Sequence, residues 1–163
     1  MTDFRIAVFE GDGIGREIMA PTLRLLDGLA RHSQTWRMSF DMLPGGAQCY
    51  AETGEALPTA AVETARRADA ILLAAMGLPD IRYPDGTEIT PQIDLRKILG
   101  LYAGVRPVRV TSGLPTPLAA AGDLDFVLIR ESTEGLFASV GEVEADEARE
   151  TLKITRAVTE KVS

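Results

Sequence analysis

The stretch Arg5-Ile6-Ala7-Val8-Phe9-Glu10-Gly11-Asp12-Gly13-Ile14-Gly15 decides the fold of this chain. Residues 5–9 are short, apolar and rich in β-forming side chains, which predicts a buried strand. Residues 16–31 then place Ile18, Leu25, Leu26 and Leu29 at helical spacing, which predicts a helix that packs through those side chains. A strand, a glycine turn and a helix in this order predict an α/β fold.

The glycine turn, Gly11–Gly15, allows two interpretations. Backbone amides between a strand and a helix often bind an anionic or dinucleotide ligand. The spacing departs from the Rossmann fingerprint, because the third glycine comes one residue early and the next strand's acid, Asp41, lies beyond the usual distance of about 20 residues. The alternative is a tight turn in which the glycines serve the backbone alone.

Further strands and helices alternate along the chain. Residues 36–43 predict a strand, and residues 57–70 predict a helix that packs through Ala61, Val62, Ala65 and Ala68. The continuous apolar run of residues 70–75 is typical of a central parallel strand buried on both faces. Residues 76–89 contain prolines and glycines, and they predict an irregular loop at the carboxyl end of that strand. Ligands usually bind there, although a solvated connection is the alternative.

Three arginines, Arg96, Arg106 and Arg130, each lie in a short apolar segment. The first belongs to a predicted helix over 92–102 with Ile93, Leu95, Ile98 and Leu99 facing inward. The other two belong to predicted strands over 105–110 and 125–130, ahead of strands at 136–140 and 151–154 around a polar turn at 142–149. A guanidinium is a permanently charged, planar fork of donors, so three converging forks would bind a small anion with more than one carboxylate or phosphate. The alternative is that each one reaches water or pairs with an acid.

Composition excludes several partners. The chain has 24 acidic and 17 basic residues and a net charge of −7, so nucleic acid and anionic membranes are not expected partners. Cys49 is the only cysteine, which indicates a reducing compartment, and no apolar run reaches the roughly 20 residues that span a bilayer. We expect a soluble cytoplasmic protein.

The arginine segments are Leu95-Arg96-Lys97, Val105-Arg106-Pro107 and the stretch from Ile129 to Gly135. Together with Gly11–Gly15 they resemble the isocitrate/isopropylmalate dehydrogenase family, the β-decarboxylating dehydrogenases that include tartrate and D-malate dehydrogenases. The resemblance implies an α/β isopropylmalate dehydrogenase-like two-domain fold and a homodimer. Complete members are roughly twice as long, so the fold is expected to be incomplete in this chain, an N-terminal half. Residues 1–103 would belong to the first domain and residues 104–163 would begin the second.

The resemblance also implies a reaction, the NAD-dependent oxidative decarboxylation of a (2R)-malate-type dicarboxylic acid, with NAD preferred over NADP. Arg96, Arg106 and Arg130 match the residues that bind the malate moiety. Thr90 and Gln92 match the positions that contact the C3 substituent. Because both are polar, a polar or absent substituent is favoured, as in tartrate or D-malate. Ile93 is apolar, so 3-isopropylmalate remains the close alternative.

The family pattern further predicts a cofactor site and departs from this chain at one position. The predicted cofactor-binding residues are Ile14, Met76, Gly77, Leu78, Pro79 and Glu88. The Mg²⁺ or Mn²⁺ of the family would have its ligands outside this chain. Phe137 stands where the family has a tyrosine that acts as general acid. We therefore expect this chain alone to be inactive, and the alternative function is a non-catalytic or regulatory homologue that keeps the anion site.

Overall fold

A computed structural model describes residues 1–110, 115, 124–144, 147–153, 157 and 161. The chain divides into two compact units, Met1–Leu95 and Arg96–Ser163, each described by itself below. This division falls before the domain boundary predicted at 103/104, which stays a prediction. The elements in chain order are β1 (Thr2–Phe9), α1 (Ile14–His32), β2 (Trp36–Met42), α2 (Ala47–Thr53), α3 (Thr59–Arg66), β3 (Ala70–Leu73), α4 (Pro91–Leu99), β4 (Ala103–Arg109), β5 (Asp125–Glu131), β6 (Gly135–Glu144) and β7 (Glu147–Lys153).

The first unit is built on a parallel sheet with strand order β2-β1-β3. Ile6 lies opposite both Phe40 of β2 and Ala70 of β3, so the predicted pairing of the first strand with residues 70–75 is confirmed. The predicted central position of β3 is wrong for the described residues. β1 is the central strand, with Val8 and Phe9 fully buried, whereas β3 has one neighbouring strand and Leu73 is 38% exposed.

α1 packs through a different face from the predicted one. Its buried residues are Gly15, Met19 and Ala30, while the predicted contacts Ile18 and Leu29 are about half exposed. Leu25 is likewise exposed, and only Leu26 of the predicted set is partly buried. The reason lies at the start of the helix, where Gly15 approaches the carbonyl oxygen of Ala75 too closely for any side chain. This contact fixes the rotation of the helix and turns Met19, one turn later, into the core.

Two shorter helices complete the first unit. α3 buries Ala61, Val62 and Ala65, as predicted, but it ends at Arg66 and not at residue 70. α2 was not predicted, because its seven residues carry no apolar periodicity. α4 ends at Leu99 and not at 102, and among its predicted inward residues Leu95 is buried whereas Ile98 is 48% exposed.

The second unit contains two antiparallel strand pairs, β4–β5 and β6–β7. The predicted polar turn at 142–149 is wrong, since β6 continues through Glu144 and β7 begins at Glu147. Acidic residues there alternate along paired strands, with Glu142 opposite Arg149. The predicted strand end at Ile154 lies outside the described residues. Within the described part of the chain, no helix combines the length and the apolar character needed to cross a bilayer.

Candidate functional site

The glycine turn after β1 is packed against the end of β3. A Cβ atom on Gly11, whose φ is +68°, would lie 2.0 Å from the carbonyl oxygen of Ala75. The Asp12 amide donates to that same oxygen at 2.8 Å, and the Gly15 amide donates to the Asp12 carbonyl at 2.8 Å. The glycines therefore permit a close backbone approach, as the second interpretation of the turn required.

The Asp12 side chain joins three segments of the first unit, a role that sequence reasoning missed. Its carboxylate is 3% exposed and accepts hydrogen bonds from the amides of Ala47 at 2.7 Å, Gln48 at 2.9 Å and Gly77 at 2.8 Å. The first two amides begin α2, and the third lies just after β3. The signal that could have found it is an acid between two glycines, since such an acid is held close to several backbone amides.

The loop over residues 76–90 is folded onto α2. Ile89 is 2% exposed and packs with Ala47 and Ala56 in a small apolar cluster. The rings of Tyr50 and Tyr83 meet edge to face, with centroids 5.0 Å apart. Burial, followed by the nearby carboxylate of Asp94, raises the pKa of Tyr83 above its ordinary value. Ile89 and Tyr83 thus pack the loop against α2.

A cavity of about 260 Å³ lies along this loop. Five of the six predicted cofactor residues line it, and so do both predicted substituent-binding residues, Thr90 and Gln92. The five are Met76, Gly77, Leu78, Pro79 and Glu88. The sixth, Ile14, is 58% exposed and is not among the lining residues, although a Cβ on the preceding Gly13 would lie 3.7 Å from Leu78 Cδ2.

Two further polar groups characterise this cavity. Arg82, which was not predicted, lines it and pairs with Glu88, with Nη2 at 3.3 Å from Oε1. Gln92 Oε1 is buried, and within the described residues no donor reaches it. A buried carbonyl oxygen without a donor costs about 1–3 kcal/mol, and because this oxygen is closed to water it does not face the open space of the cavity.

A second cavity, of about 330 Å³, lies in the second unit and is lined by all three predicted arginines, Arg96, Arg106 and Arg130. The strand register explains the last two. Arg106 lies opposite Leu128 and Arg130 lies opposite Gly104, so both arginines project from one face of the β4–β5 pair as diagonal neighbours. A Cβ on Gly104 would lie 3.2 Å from the Arg130 carbonyl oxygen, which is closer than ordinary contact.

The described lining of this cavity is positively charged. The lining residues given by the structure include three guanidinium groups and no carboxylate. Ion pairs in the described part of the chain include those of Arg5, Arg16, Arg31, Arg66, Arg82 and Arg109. Neither Arg96 nor Arg106 has an acidic partner there. This observation favours an anionic ligand over the alternative that protein acids neutralise these two side chains.

Hydrogen bonds to Tyr102 and to the Glu131 carboxylate hold the residues at the end of β5. The Ser132 amide donates to the Tyr102 carbonyl at 2.9 Å, and the Glu131 carboxylate accepts from the Thr133 hydroxyl and from the amides of Thr133 and Glu134. Burial opposes ionisation of Glu131, but these donors outweigh it and hold its pKa below the ordinary value. Arg130 and Ser132 therefore lie next to a fixed turn.

The sequence matches the isocitrate/isopropylmalate dehydrogenase family over residues 5–163. The chain belongs to this family. Among its relatives, the 3-isopropylmalate dehydrogenase of Thermobifida fusca is 43% identical over 85% of this chain and 39% of its own length. The 3-isopropylmalate/3-methylmalate dehydrogenase of Methanocaldococcus jannaschii is 36% identical over 96% of this chain and 41% of its own length. The chain thus spans about two fifths of the length of these relatives.

Solved structures agree with the family assignment. Isocitrate dehydrogenase from Methylococcus capsulatus has a TM-score of 0.77 at 26% identity, covering 98% of this chain and 45% of its own. A β-decarboxylating dehydrogenase from Thermococcus kodakarensis has a TM-score of 0.68 at 30% identity, covering 98% of this chain and 43% of its own. The predicted family and the predicted isopropylmalate dehydrogenase-like fold, partial in this chain, are both confirmed. The roles assigned to single site residues stay predictions.

Proposed function

We propose that the second unit binds the carboxylates of a (2R)-malate-type dicarboxylic acid through Arg96, Arg106 and Arg130. One observation carries the proposal: three guanidinium groups line one cavity whose described lining has no carboxylate. Each planar fork can bind a carboxylate through two parallel hydrogen bonds, which fixes position and orientation together. The family assignment supports an acid substrate, because the relatives named above act on substituted malates.

The proposed reaction of the whole protein is NAD-dependent oxidative decarboxylation of that acid. NAD, when bound, accepts the hydride that leaves C2. The part of this chain proposed to hold its nicotinamide end is the loop cavity lined by Met76 to Pro79 and Glu88. Ile14, which is not among the lining residues, is proposed to contact the cofactor from the glycine turn. Its volume of about 260 Å³ fits a ring and part of a ribose but not a whole dinucleotide. NAD in preference to NADP and a cytoplasmic homodimer are parts of the same proposal.

The family's Mg²⁺ or Mn²⁺ does not fit the residues described here. Among them, no three histidine, cysteine or acidic side chains come together as a metal-binding group. No step of the reaction is therefore derived through a metal on this chain, and the proposed ligands lie elsewhere in the whole protein.

Within the malate class, the cavity of Thr90 and Gln92 supports a substituent that is polar or absent. Gln92 Oε1 is buried without a donor among the described residues. That oxygen is closed to the cavity as it stands, so the support comes from the polar character of both lining residues, beside which an isopropyl group would leave polar groups unpaired. The 3-isopropylmalate class, to which the named relatives belong, is the competing assignment. Comparison of the Kd values for tartrate, D-malate and 3-isopropylmalate decides between them.

Phe137 favours one alternative function, a non-catalytic homologue that binds the acid. The residue lies in β6, where the family pattern has its general acid, and phenylalanine cannot donate a proton. Phe137→Tyr in the whole protein tests this. A rise in CO₂ release relative to NADH supports a weakened catalyst, and the absence of both products before and after the substitution supports the non-catalytic alternative.

The direct test of the anion site is calorimetric binding of D-malate and tartrate to the full chain and to two variants. Arg106→Ala should weaken binding by about 10- to 150-fold, because a charge-assisted hydrogen bond is worth about 1.5–3 kcal/mol. Arg109→Ala is the matched control: it lies on the same strand, on the opposite face, and pairs with Asp125 at 3.1 Å. Equal losses in the two variants, or no binding to the wild-type chain, would overturn the proposal.

A further inference from the structure

Asp12 is a buried acid that the proposed function does not use. It is 3% exposed, and no described arginine, lysine or histidine forms an ion pair with it. Its negative charge is balanced by three backbone amides alone, at 2.7–2.9 Å. A carboxylate is stable in a buried position only where hydrogen bonds replace its hydration. All three donors therefore stabilise the Asp12 side chain in its buried position.

The surrounding backbone is shaped to admit this carboxylate. Gly46, just before α2, has φ +125°, and a Cβ there would lie 2.5 Å from Asp12 Oδ2. No other residue type fits at that position while the carboxylate stays in place. The Gly46 amide donates instead to the Ala56 carbonyl at 2.9 Å, which leaves the next two amides, of Ala47 and Gln48, to Asp12.

The third amide connects Asp12 to the candidate cofactor cavity. Gly77 adopts φ +106°, and its amide donates to Oδ2, the oxygen that also accepts from Ala47. Gly77 and its neighbours Met76 and Leu78 form one wall of the cavity. A single oxygen atom thus holds that wall at a fixed position relative to the start of α2.

We propose that Asp12 is a positioning residue for the nicotinamide end of the cofactor, a role that rests on the proposed function. Its carboxylate sets the Gly77 backbone, and Gly77 sets the cavity wall. Among the described residues that line the cavity, Gly77 is the one that donates a hydrogen bond to the Asp12 carboxylate, so the proposed effect on the ligand passes through that amide.

Two substitutions separate positioning from general stability. Asp12→Ala removes all three acceptors. Asp12→Asn keeps one carbonyl oxygen, which can serve Ala47 and Gly77 as Oδ2 does, while its NH₂ group faces the Gln48 amide, donor against donor. Asp69→Asn is the matched control, since Asp69 also accepts a backbone hydrogen bond, from Arg5 at 2.8 Å, but on the exposed surface. Ile6→Val controls for lower stability of the same sheet.

The experiment measures amide hydrogen exchange by NMR and NADH affinity by fluorescence, both on the full chain. In Asp12→Ala, the amides of Gly77, Ala47 and Gln48 should exchange at least about 10-fold faster, while Gly86, which donates to Tyr83 in the same loop, should change less than about 3-fold. The Kd for NADH should rise at least about 5-fold. In Asp12→Asn, the Gln48 amide alone should exchange faster, and NADH affinity should return close to the wild-type value.

Three results would overturn the proposal. The first is that the hydrogen exchange rate of the Gly77 amide is the same in the wild type and in Asp12→Ala. The second is a loss of NADH affinity that is equal in Asp12→Ala and Ile6→Val. If Asp12→Ala does not fold, the Asn variant decides, and unchanged exchange at Gln48 counts against the proposal. A wild-type chain that does not bind NADH refutes the proposed cofactor site, and exchange at Gly77 then decides alone whether Asp12 positions the loop.

Discussion

Gly15→Ala should destabilise the first unit, although alanine is a better helix former than glycine. Gly15 lies in the first turn of α1 and is buried against the ends of β1 and β3. An added Cβ would lie 2.5 Å from the Glu10 carbonyl oxygen and 2.6 Å from the Ala75 carbonyl oxygen. Both obstacles are backbone atoms, so no side-chain rotation relieves the contact.

The size of the effect follows from the geometry. Ordinary contact begins near 3.4 Å, so the start of the helix must move away from Ala75 by about 0.8 Å. Overpacking of this kind costs about 1–3 kcal/mol, and weakening the bond from the Asp12 amide to the Ala75 carbonyl adds about 1 kcal/mol. The higher helix propensity of alanine offsets about 0.5–1 kcal/mol. The net loss in the free energy of unfolding should be about 1–3.5 kcal/mol.

Gly28→Ala is the matched control, because it is the same substitution in the same helix. No atom lies within 4 Å of a Cβ built on Gly28. Only the propensity term remains, so the free energy of unfolding should rise by about 0.5–1 kcal/mol. Urea unfolding followed by the fluorescence of Trp36, the only tryptophan, measures both changes as shifts in midpoint at constant m-value.

The two substitutions should change the free energy of unfolding in opposite directions, although both replace a glycine of α1 by alanine. This difference is the decisive feature of the test. A Gly15→Ala variant as stable as the parent would refute the steric account of the glycine turn, provided that Gly28→Ala is stabilised as expected. Destabilisation by both substitutions would mean that α1 tolerates no alanine for a reason other than contact with Ala75.

Three further predictions concern the second unit and the chain as a whole. Folding lowers the pKa of Glu131. Its ionised side chain therefore stabilises the fold above the unfolded pKa, and this stabilisation is lost as pH falls through the lower folded value. Glu131→Gln should remove this part of the pH dependence of stability, as measured by urea unfolding in acid. Thr133→Val should raise the pKa of Glu131, as measured by NMR titration, because one of its donors is lost. Val127 and Ile129 are each more than half exposed on one face of β5. The chain should therefore bind a hydrophobic dye and self-associate as its concentration rises. Threonine at both positions should reduce the self-association measured by sedimentation.

The sequence was informative where local pattern and fold coincide. The run over residues 5–9 predicted β1, and the register of Ile6 with Ala70 confirmed its pairing. The pattern failed where tertiary contact overrides periodicity. α1 carries apolar residues around more than one side, so periodicity alone could not say that Met19, and not Ile18, enters the core. That choice is made by the contact of Gly15 with Ala75, two residues 60 positions apart.

In the candidate site, too, some residues could be predicted from the sequence, whereas others depend on tertiary contacts. Arg96, Arg106 and Arg130 were predicted from the resemblance of their segments to the family's substrate-binding segments. They line one cavity, and strand register brings two of them to one face. Asp12 was not predicted as a site residue. Its importance depends on the start of α2 and on Gly77, neither of which a local pattern connects to residue 12. Long-range hydrogen bonds of a buried acid leave no periodic trace in the sequence.

The two anion-binding signals of the sequence, the glycine turn and the arginines, are not equivalent in the structure. In the turn, the amides of Asp12, Gly15 and Arg16 already donate to carbonyl oxygens of the chain, so a phosphate or carboxylate would have to displace those bonds. Arg96 and Arg106 have no acidic partner among the described residues. The net charge of −7 repels a dianion only weakly beyond about 8 Å at physiological salt, so the local field of the guanidinium groups dominates at contact. The proposed anion recognition therefore rests on side-chain cations, whereas the glycines of the turn serve packing.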